Sequence, residues 1–306
     1  MMTMTNAAER EPWPPLPLAG WKETYRTLHR WTQMAGKVQL ALTPRTNHFW
    51  NVTLHATARG LTTAAMPVGT GACTIAFDFV DHVLRIDRDR GDRREIPLAP
   101  QPVAQFYERF VSALRALGVE ARIWPMPVEV PDPVRFDRDT SGDYDAGAVE
   151  RFWRILVQVE AILGEFRARF TGKCSPVHFF WGSFDVAVTR FSGRPAPPRP
   201  EADAMTREAY SHECNSAGWW PGGGAIDGPA FYAYSAPEPA GLAAARIGPR
   251  AAFYSPDMKE FIYRYDDMRA APDPRAALLE FLQTTYEAGA DLAKWDRPAL
   301  ERPGPA

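Results

Sequence analysis

Apolar positions along the chain follow two periods, and the switch between them marks the elements. Trp21, Tyr25, Leu28 and Trp31 recur at spacings of three and four in "GWKETYRTLHRWTQM", which predicts an amphipathic helix with an aromatic stripe. The preceding "PWPPLPL" cannot continue a helix and reads as an extended N-terminal strap. After Gly36 the period changes. "KVQLALT", "HFWNVTLHATARG", "LTTAAMPV", "CTIAFDFV", "HVLRID" and "REIPL" are short, rich in branched and aromatic residues and separated by Gly, Pro or Asp, which predicts an antiparallel meander. Between the last two, "DRDRGDRR" alternates in sign around Gly91 and reads as a solvated hairpin turn, not a binding patch. A helix follows, with Pro102 preset for its first turn, Phe106, Phe110, Leu114 and Leu117 on one face, and Gly118 as its stop.

The order then recurs. A Pro-rich strap at 119–144 leads to Asp145, a candidate N-cap, and to a helix carrying Val149, Phe152, Leu156, Val159, Leu163, Phe166 and Phe170. "VHFFWGSFDVAVTRF" returns to strand character, and "APDPRAALLEFLQTTYEAGADL" closes with a helix whose start resembles "APQPVAQFYERF" in the first half. Trp21 with Phe152, Tyr25 with Leu156, Leu28 with Val159, Trp50 with Trp181 and Arg59 with Arg190 all lie 131 positions apart. The final helices lie 172 apart, which leaves about 41 extra residues in the second unit. The expectation is an α+β fold: two tandem α-β-α units with mainly antiparallel sheets, related by a pseudo-twofold duplication. The units span 12–118 and 145–292 and form one compact body. An insertion near 192–229, Pro-rich and then Gly-rich, would cap the groove between the halves.

Composition narrows the partners. At 306 residues and 45% hydrophobic content the chain can bury one large core or two smaller ones. A net charge of -2 supplies no field to hold a polyanion or an anionic membrane, so nucleic acid is not an expected partner. Cys73, Cys174 and Cys214 are scattered and form no CxxC, which fits a reducing compartment. Without a signal-peptide pattern or an apolar run of membrane-spanning length, a cytoplasmic protein with no membrane span is expected. Oligomeric state, cofactor and metal stay open.

"LHRWTQMAGKVQLALTPRTNHFWNV", "IWPMPVEVPDPVRFD", "FRARFTGKCSPVHFFWGSFDVAVTRFSGR" and "REAYSHECNSAGWWPGGG" resemble an uncharacterised bacterial family, DUF5996, known only as a domain of unknown function. The likeness runs from about Trp13 to Arg302, and motifs of this length are specific. It implies no catalytic assignment.

Candidate chemistry comes from the polar clusters. Strand alternation in "TNHFWNVTLHATAR" puts Asn51, Thr53, His55, Thr57 and Arg59 on one face, an exposed sheet surface or a ligand-facing wall, with His48 just upstream. In "SPVHFFWGSFDVAVTRF", His178 falls opposite Ser183 and Asp185 unless a bulge at Gly182 shifts the register, and Ser183 is in no GxSxG elbow. Asp185 reads by default as a structural carboxylate, and Arg190 follows on the same strand. "YSHECNSAGWWPGGG" places His212, Glu213 and Cys214 side by side, an acid and base candidate in His212 and Glu213, but it matches neither HExxH nor the zinc-deaminase pattern. Neither "PGGG" nor "TGKC" is a phosphate-cradling loop. Trp181, Trp219, Trp220, Phe231, Tyr232 and Tyr234 form either aromatic core or an aromatic pocket. Three classes follow: a small-molecule enzyme with its site in the groove, a non-catalytic small-molecule binder, and a protein-interaction module.

Overall fold

The computed structural model describes residues 11–302. α1 (Lys22–Leu42) buries a stripe that includes Leu28, Trp31, Met34, Ala35 and Val38. The helix does not end at Gly36, as the change of period suggested: "KVQLAL" continues it, since Leu, Lys, Gln and Ala are good helix formers. Gly36 serves close approach instead. A Cβ there would lie 2.2 Å from the Trp181 indole.

A second correction concerns "NHFWNV", which is no strand. Asn47–Val52 form a 3-10 turn with His48 and Phe49 in the left-handed region, at φ 55 and 57. Side chains hold this turn by taking backbone groups that a strand ladder would use. The Gln39 amide donates to the carbonyls of Asn51 (2.6 Å) and Thr53 (2.9 Å), and Asn51 Oδ1 accepts from the Thr46 amide at 3.2 Å. The expected polar face from Asn51 to Arg59 is therefore interrupted.

Strand pairing begins with β1 (His55–Thr57), β2 (Gly60–Thr62), β3 (Met66–Val68), β4 (Gly71–Asp78), β5 (Val83–Arg88) and β6 (Arg93–Pro97). They form one antiparallel sheet in the order β1-β2-β4-β5-β6, with β3 also paired to β4. The charges of the β5–β6 turn neutralise one another locally, through Arg90–Asp92 and Arg93–Asp87 contacts of 2.5 Å each. α2 (Val103–Ala116) buries Phe106, Phe110 and Leu114, and the chain leaves it through Gly118 at φ +67. Apart from a 3-10 turn at Phe136–Arg138, the connecting strap carries no helix or strand before α3.

α3 (Ala146–Ala168) starts where Asp145 accepts from the amides of Gly147 (2.9 Å) and Ala148 (3.1 Å). Then come β7 (His178–Phe180), β8 (Asp185–Pro195), α4 (Ala204–Ala209), β9 (His212–Trp220), β10 (Ala230–Ala236), β11 (Phe253–Ser255) and β12 (Glu260–Arg264). The chain closes with α5 (Tyr265–Arg269), α6 (Pro274–Leu292) and α7 (Arg297–Leu300). The second sheet is antiparallel in the order β11-β12-β10-β9-β8-β7.

Each half thus runs helix, antiparallel sheet, helix. The sheets meet edge to edge, where Leu54 and Phe179 exchange backbone hydrogen bonds of 2.9 Å each. One continuous apolar cluster spans both halves, from Trp13 to Trp295. Residues 131 apart occupy unlike settings: Arg59 is exposed and bonds Asp78 at 2.5 Å, whereas Arg190 is buried against the rings of Phe166 and Tyr286. No helix among the described residues is long and apolar enough to cross a membrane.

Because Trp181 is buried and its indole N–H is bonded to the Val52 carbonyl at 2.6 Å, it cannot retreat from a larger residue on α1. Gly36→Ala is expected to lower the unfolding free energy by about 1–3 kcal/mol. Gly164→Ala, on α3 with no atom within 4 Å of a new Cβ, should be neutral or stabilising. Urea unfolding of both variants checks the contrast.

Candidate functional site

The second sheet has two unlike faces. Val186, Val188 and Arg190 on β8, with Ala217 and Trp219 on β9, point into the core beneath α3 and α6. The opposite face lines a cavity of about 670 Å³ with Asp185 and Thr189 from β8, Ser216 and Trp220 from β9, Tyr232 and Tyr234 from β10, and Glu260 from β12. Its cover comes from elsewhere. His48, Phe49 and Trp50 descend from the 3-10 turn of the first half, Glu129 from the strap, and Met205, Thr206 and Tyr210 from the segment around α4.

Asp185 reaches this face because β7 and β8 are a hairpin, not one strand. The chain reverses over residues 181–184, with Phe184 at φ 59, and pairs Phe180 with Asp185 and His178 with Ala187. Directly paired residues share a face, so His178 and Asp185 lie on the same side of the sheet. The alternation expected for a continuous strand does not apply.

Asp185 is 6% exposed and accepts hydrogen bonds from the Ser183 and Tyr232 hydroxyls. Burial pushes its carboxyl above the usual range, against the pull of those two donors. Tyr232 reaches it across β9, where its register partner is Gly218, and a Cβ at Gly218 would lie 2.6 Å from the Tyr232 oxygen. Burial, followed by the charge of Asp185, raises Glu260 to about 7. Glu129 is open to solvent at the cavity mouth, but crowding by the walls and then the charge of Asp185 push its carboxyl up as well. No Lys or Arg among the described residues contributes to holding any of the three ionised.

Other polar atoms complete the walls. Thr189 and Ser216 hydroxyls meet at 2.9 Å, as do those of Tyr210 and Tyr234. His48 Nδ1 donates to the carbonyls of Glu208 (2.9 Å) and Ala209 (3.2 Å), which leaves Nε2 as a buried acceptor without a partner among the described residues. Burial lowers its basicity. Cys214 also lines the cavity, but burial pushes its thiol up to about 12, which leaves it unreactive.

Of the residues that the sequence singled out, His48, Asp185, Trp220, Tyr232 and Tyr234 come together here. Others are placed apart. Asn51 braces its own turn through Thr43 at 3.0 Å, and Arg59 is held by Asp78 and Asp81. His55 and His178 lie edge to face at 5.4 Å, with His178 behind Trp50 and driven by burial to about 3. Trp181 lines an adjoining cavity, Trp219 packs on Phe152, and Arg190 belongs to the core. His212 and Glu213 project to opposite faces of β9. His212 lies 5.8 Å from the His48 ring, while Glu213 is bound by Arg194 at 2.6 Å and by Ser192 at 2.9 Å. No group of three or more His, Cys, Asp or Glu among the described residues is arranged to hold a metal ion.

Over residues 13–302 the chain matches the model of a family of unknown function, DUF5996. The chain belongs to this family. No curated protein and no solved structure matches it.

In this DUF5996 chain the carboxylates that sequence reasoning missed are Glu129 and Glu260. Glu129 sits among the prolines of "PVEVPDP" and Glu260 opens a strand after Lys259, and neither lies in a chemical motif. The one available signal was the alternation of Tyr232 and Tyr234 with Phe231 and Ala233, which puts both phenols on one face.

Glu260 allows a stability test. Its folded value of about 7 lies above the ordinary 4.5, so its favourable contribution is complete below pH 4.5 and disappears as pH rises through about 7. Above that, the ionised carboxylate carries a penalty on the order of 2 kcal/mol, with allowance for solvent in the cavity. Glu260→Gln should therefore raise the melting temperature at about pH 8 and give no gain at about pH 4, as thermal unfolding at both values would show.

Proposed function

We propose that the cavity on the outer face of the second sheet binds a small organic molecule carrying a positively charged nitrogen. One observation carries this reading: Asp185, Glu129 and Glu260 line a single cavity with no cation set against them, and much of the remaining wall is aromatic. Carboxylates crowded in this way gain most from a positive charge, and Trp50, Trp220, Tyr232 and Tyr234 offer ring faces suited to an ammonium or guanidinium group. The volume of about 670 Å³ suits a metabolite-sized guest. His212 and Glu213 take no part, since they do not share this cavity.

Benzylamine, agmatine and choline, set against the neutral isostere benzyl alcohol, test the reading by thermal shift. A cation at about one hundred times its Kd should stabilise the protein by about 2.7 kcal/mol, and Asp185→Asn should abolish the shift. Equal stabilisation by benzyl alcohol, or no response to any of the cations, would overturn it. Calorimetry adds a signature: a bound cation pulls Glu260 down from about 7, so binding at neutral pH should release a proton.

Acid–base catalysis on the same guest is a second reading, favoured by the Glu260 value itself. A carboxyl near 7 next to a buried carboxylate can give and take a proton at neutral pH. Mass spectrometry of a cation that binds, after incubation in D2O, separates the two readings: a changed mass, from reaction or from deuterium taken into a C–H bond, marks an enzyme, and an unchanged one a binder.

A further inference from the structure

A second cavity, of about 610 Å³, adjoins the first and shares Val52, Glu129, Phe180 and Ser183 with it. Its walls are mainly apolar, with Leu40, Ala41, Ile123 and Val128 among them, and Lys37 opens into it. Lys37 is 7% exposed. Its Nζ lies 5.2 Å from the ring centre of Trp124 and 5.8 Å from that of Trp181. Burial alone shifts the amine, downwards, and no carboxylate opposes that shift.

Two indoles from different parts of the chain flank the amine. Gly36 lets the Trp181 indole lie directly on α1, which covers one side of the next residue, and the strap brings Trp124 over the other. Indole faces attract a cation but cannot accept its proton. A lysine placed so, buried with no salt-bridge partner among the described residues, is an unpaired group of the kind that becomes a nucleophile when it loses its charge. A site built for an anion would present several donors converging on one point. Here one amine faces a mainly apolar chamber, and the other basic residue that lines it, Arg122, is exposed to solvent.

We propose that Lys37 is an imine-forming amine and that the chamber around it accepts an aldehyde or ketone with an apolar body. This inference does not rest on the reading of the neighbouring cavity. The neutral amine attacks the carbonyl carbon, and the carbonyl π pair moves to oxygen, which takes one of the amine protons. A second proton, which Glu129 on the same wall can supply, turns the resulting hydroxyl into leaving water. The nitrogen lone pair then closes the C=N bond. Amine, carbonyl compound and one proton thus give a protonated imine and water, with no oxidant or reductant required.

The chain has only Lys22, Lys37, Lys173, Lys259 and Lys294, so the site of reaction can be read directly. The intact protein is treated at neutral pH with benzaldehyde and cyanoborohydride, which traps the imine as a benzylamine, and the adduct is mapped by peptide mass spectrometry. Lys37 should be modified at least about tenfold faster than the exposed Lys22 and Lys294. A rate at Lys37 equal to or below theirs overturns the proposal. Lys37→Arg keeps a cation between the indoles and cannot form the imine, so the fast labelling phase should vanish while the slow phase at other lysines is unchanged. Persistence of a fast phase in a folded Lys37→Arg protein also overturns it, and if that variant does not fold, the wild-type rates decide.

Discussion

The four-residue turn that joins β7 to β8 is anchored by the helix of the other half, and the site is built outward from that anchor. His29 Nε2–H donates to the carbonyls of Gly182 (2.8 Å) and Trp181 (3.1 Å). Gly36 admits the Trp181 ring, and Val52 accepts its N–H. Burial lowers His29 to about 4, so it holds the turn as a neutral imidazole and brings no charge into the seam. One turn further along the same helix, Gln33 clamps Val128 by accepting from its amide (2.9 Å) and donating to its carbonyl (2.8 Å). That clamp presents Glu129, the next residue, at φ 54. A single face of α1 thus sets both the turn that carries Ser183 and Asp185 and the strap that carries Glu129.

Two other buried acids are neutralised by arginines. Asp139 is buried and bonded by Arg30 at 2.7 Å, and Asp78 is buried beneath Arg59 and Arg85. In both places a guanidinium and additional hydrogen bonds offset the loss of hydration, as buried ionised groups require. Asp185 receives two hydroxyls and a backbone amide but no guanidinium, and Glu260 has no basic partner. The same fold that compensates Asp78 and Asp139 leaves Asp185 and Glu260 without a cation along one cavity wall. Departures of that kind from an otherwise consistent pattern are where function is to be sought.

Much of the architecture was legible because it is written in local signals. Periodicity located α2 and α3, the repeated proline-led start marked α6, Asp145 caps its helix, and the charges around Gly91 mark a turn. What was not legible depends on contacts distant in sequence. Gly36 reads as a stop until Trp181 is seen against it. Residues 47–52 read as a strand until Gln39 takes the carbonyls of Asn51 and Thr53. Trp219 and Trp220 are adjacent and identical, and only the sheet's orientation sends one into the core and the other into the cavity. Glu129 and Glu260 carry no motif, and they become conspicuous only once the register of the second sheet brings Asp185 to the same wall.

The two cavities also explain one another. Glu129 and Lys37, an acid and a base, line the same chamber, yet they form no ion pair, and burial alone accounts for the shift of the lysine. A long acid and a long base free to move would relax into contact and gain a little Coulomb energy. Here each is tied to a different support: Glu129 to a backbone clamped by Gln33, and the Lys37 Nζ to two indole faces. The rigidity that keeps them apart is the same rigidity that closes the seam between the halves. Stability at the seam and unpaired chemistry in the chambers are therefore consequences of one packing arrangement, centred on α1 and the turn that it grips.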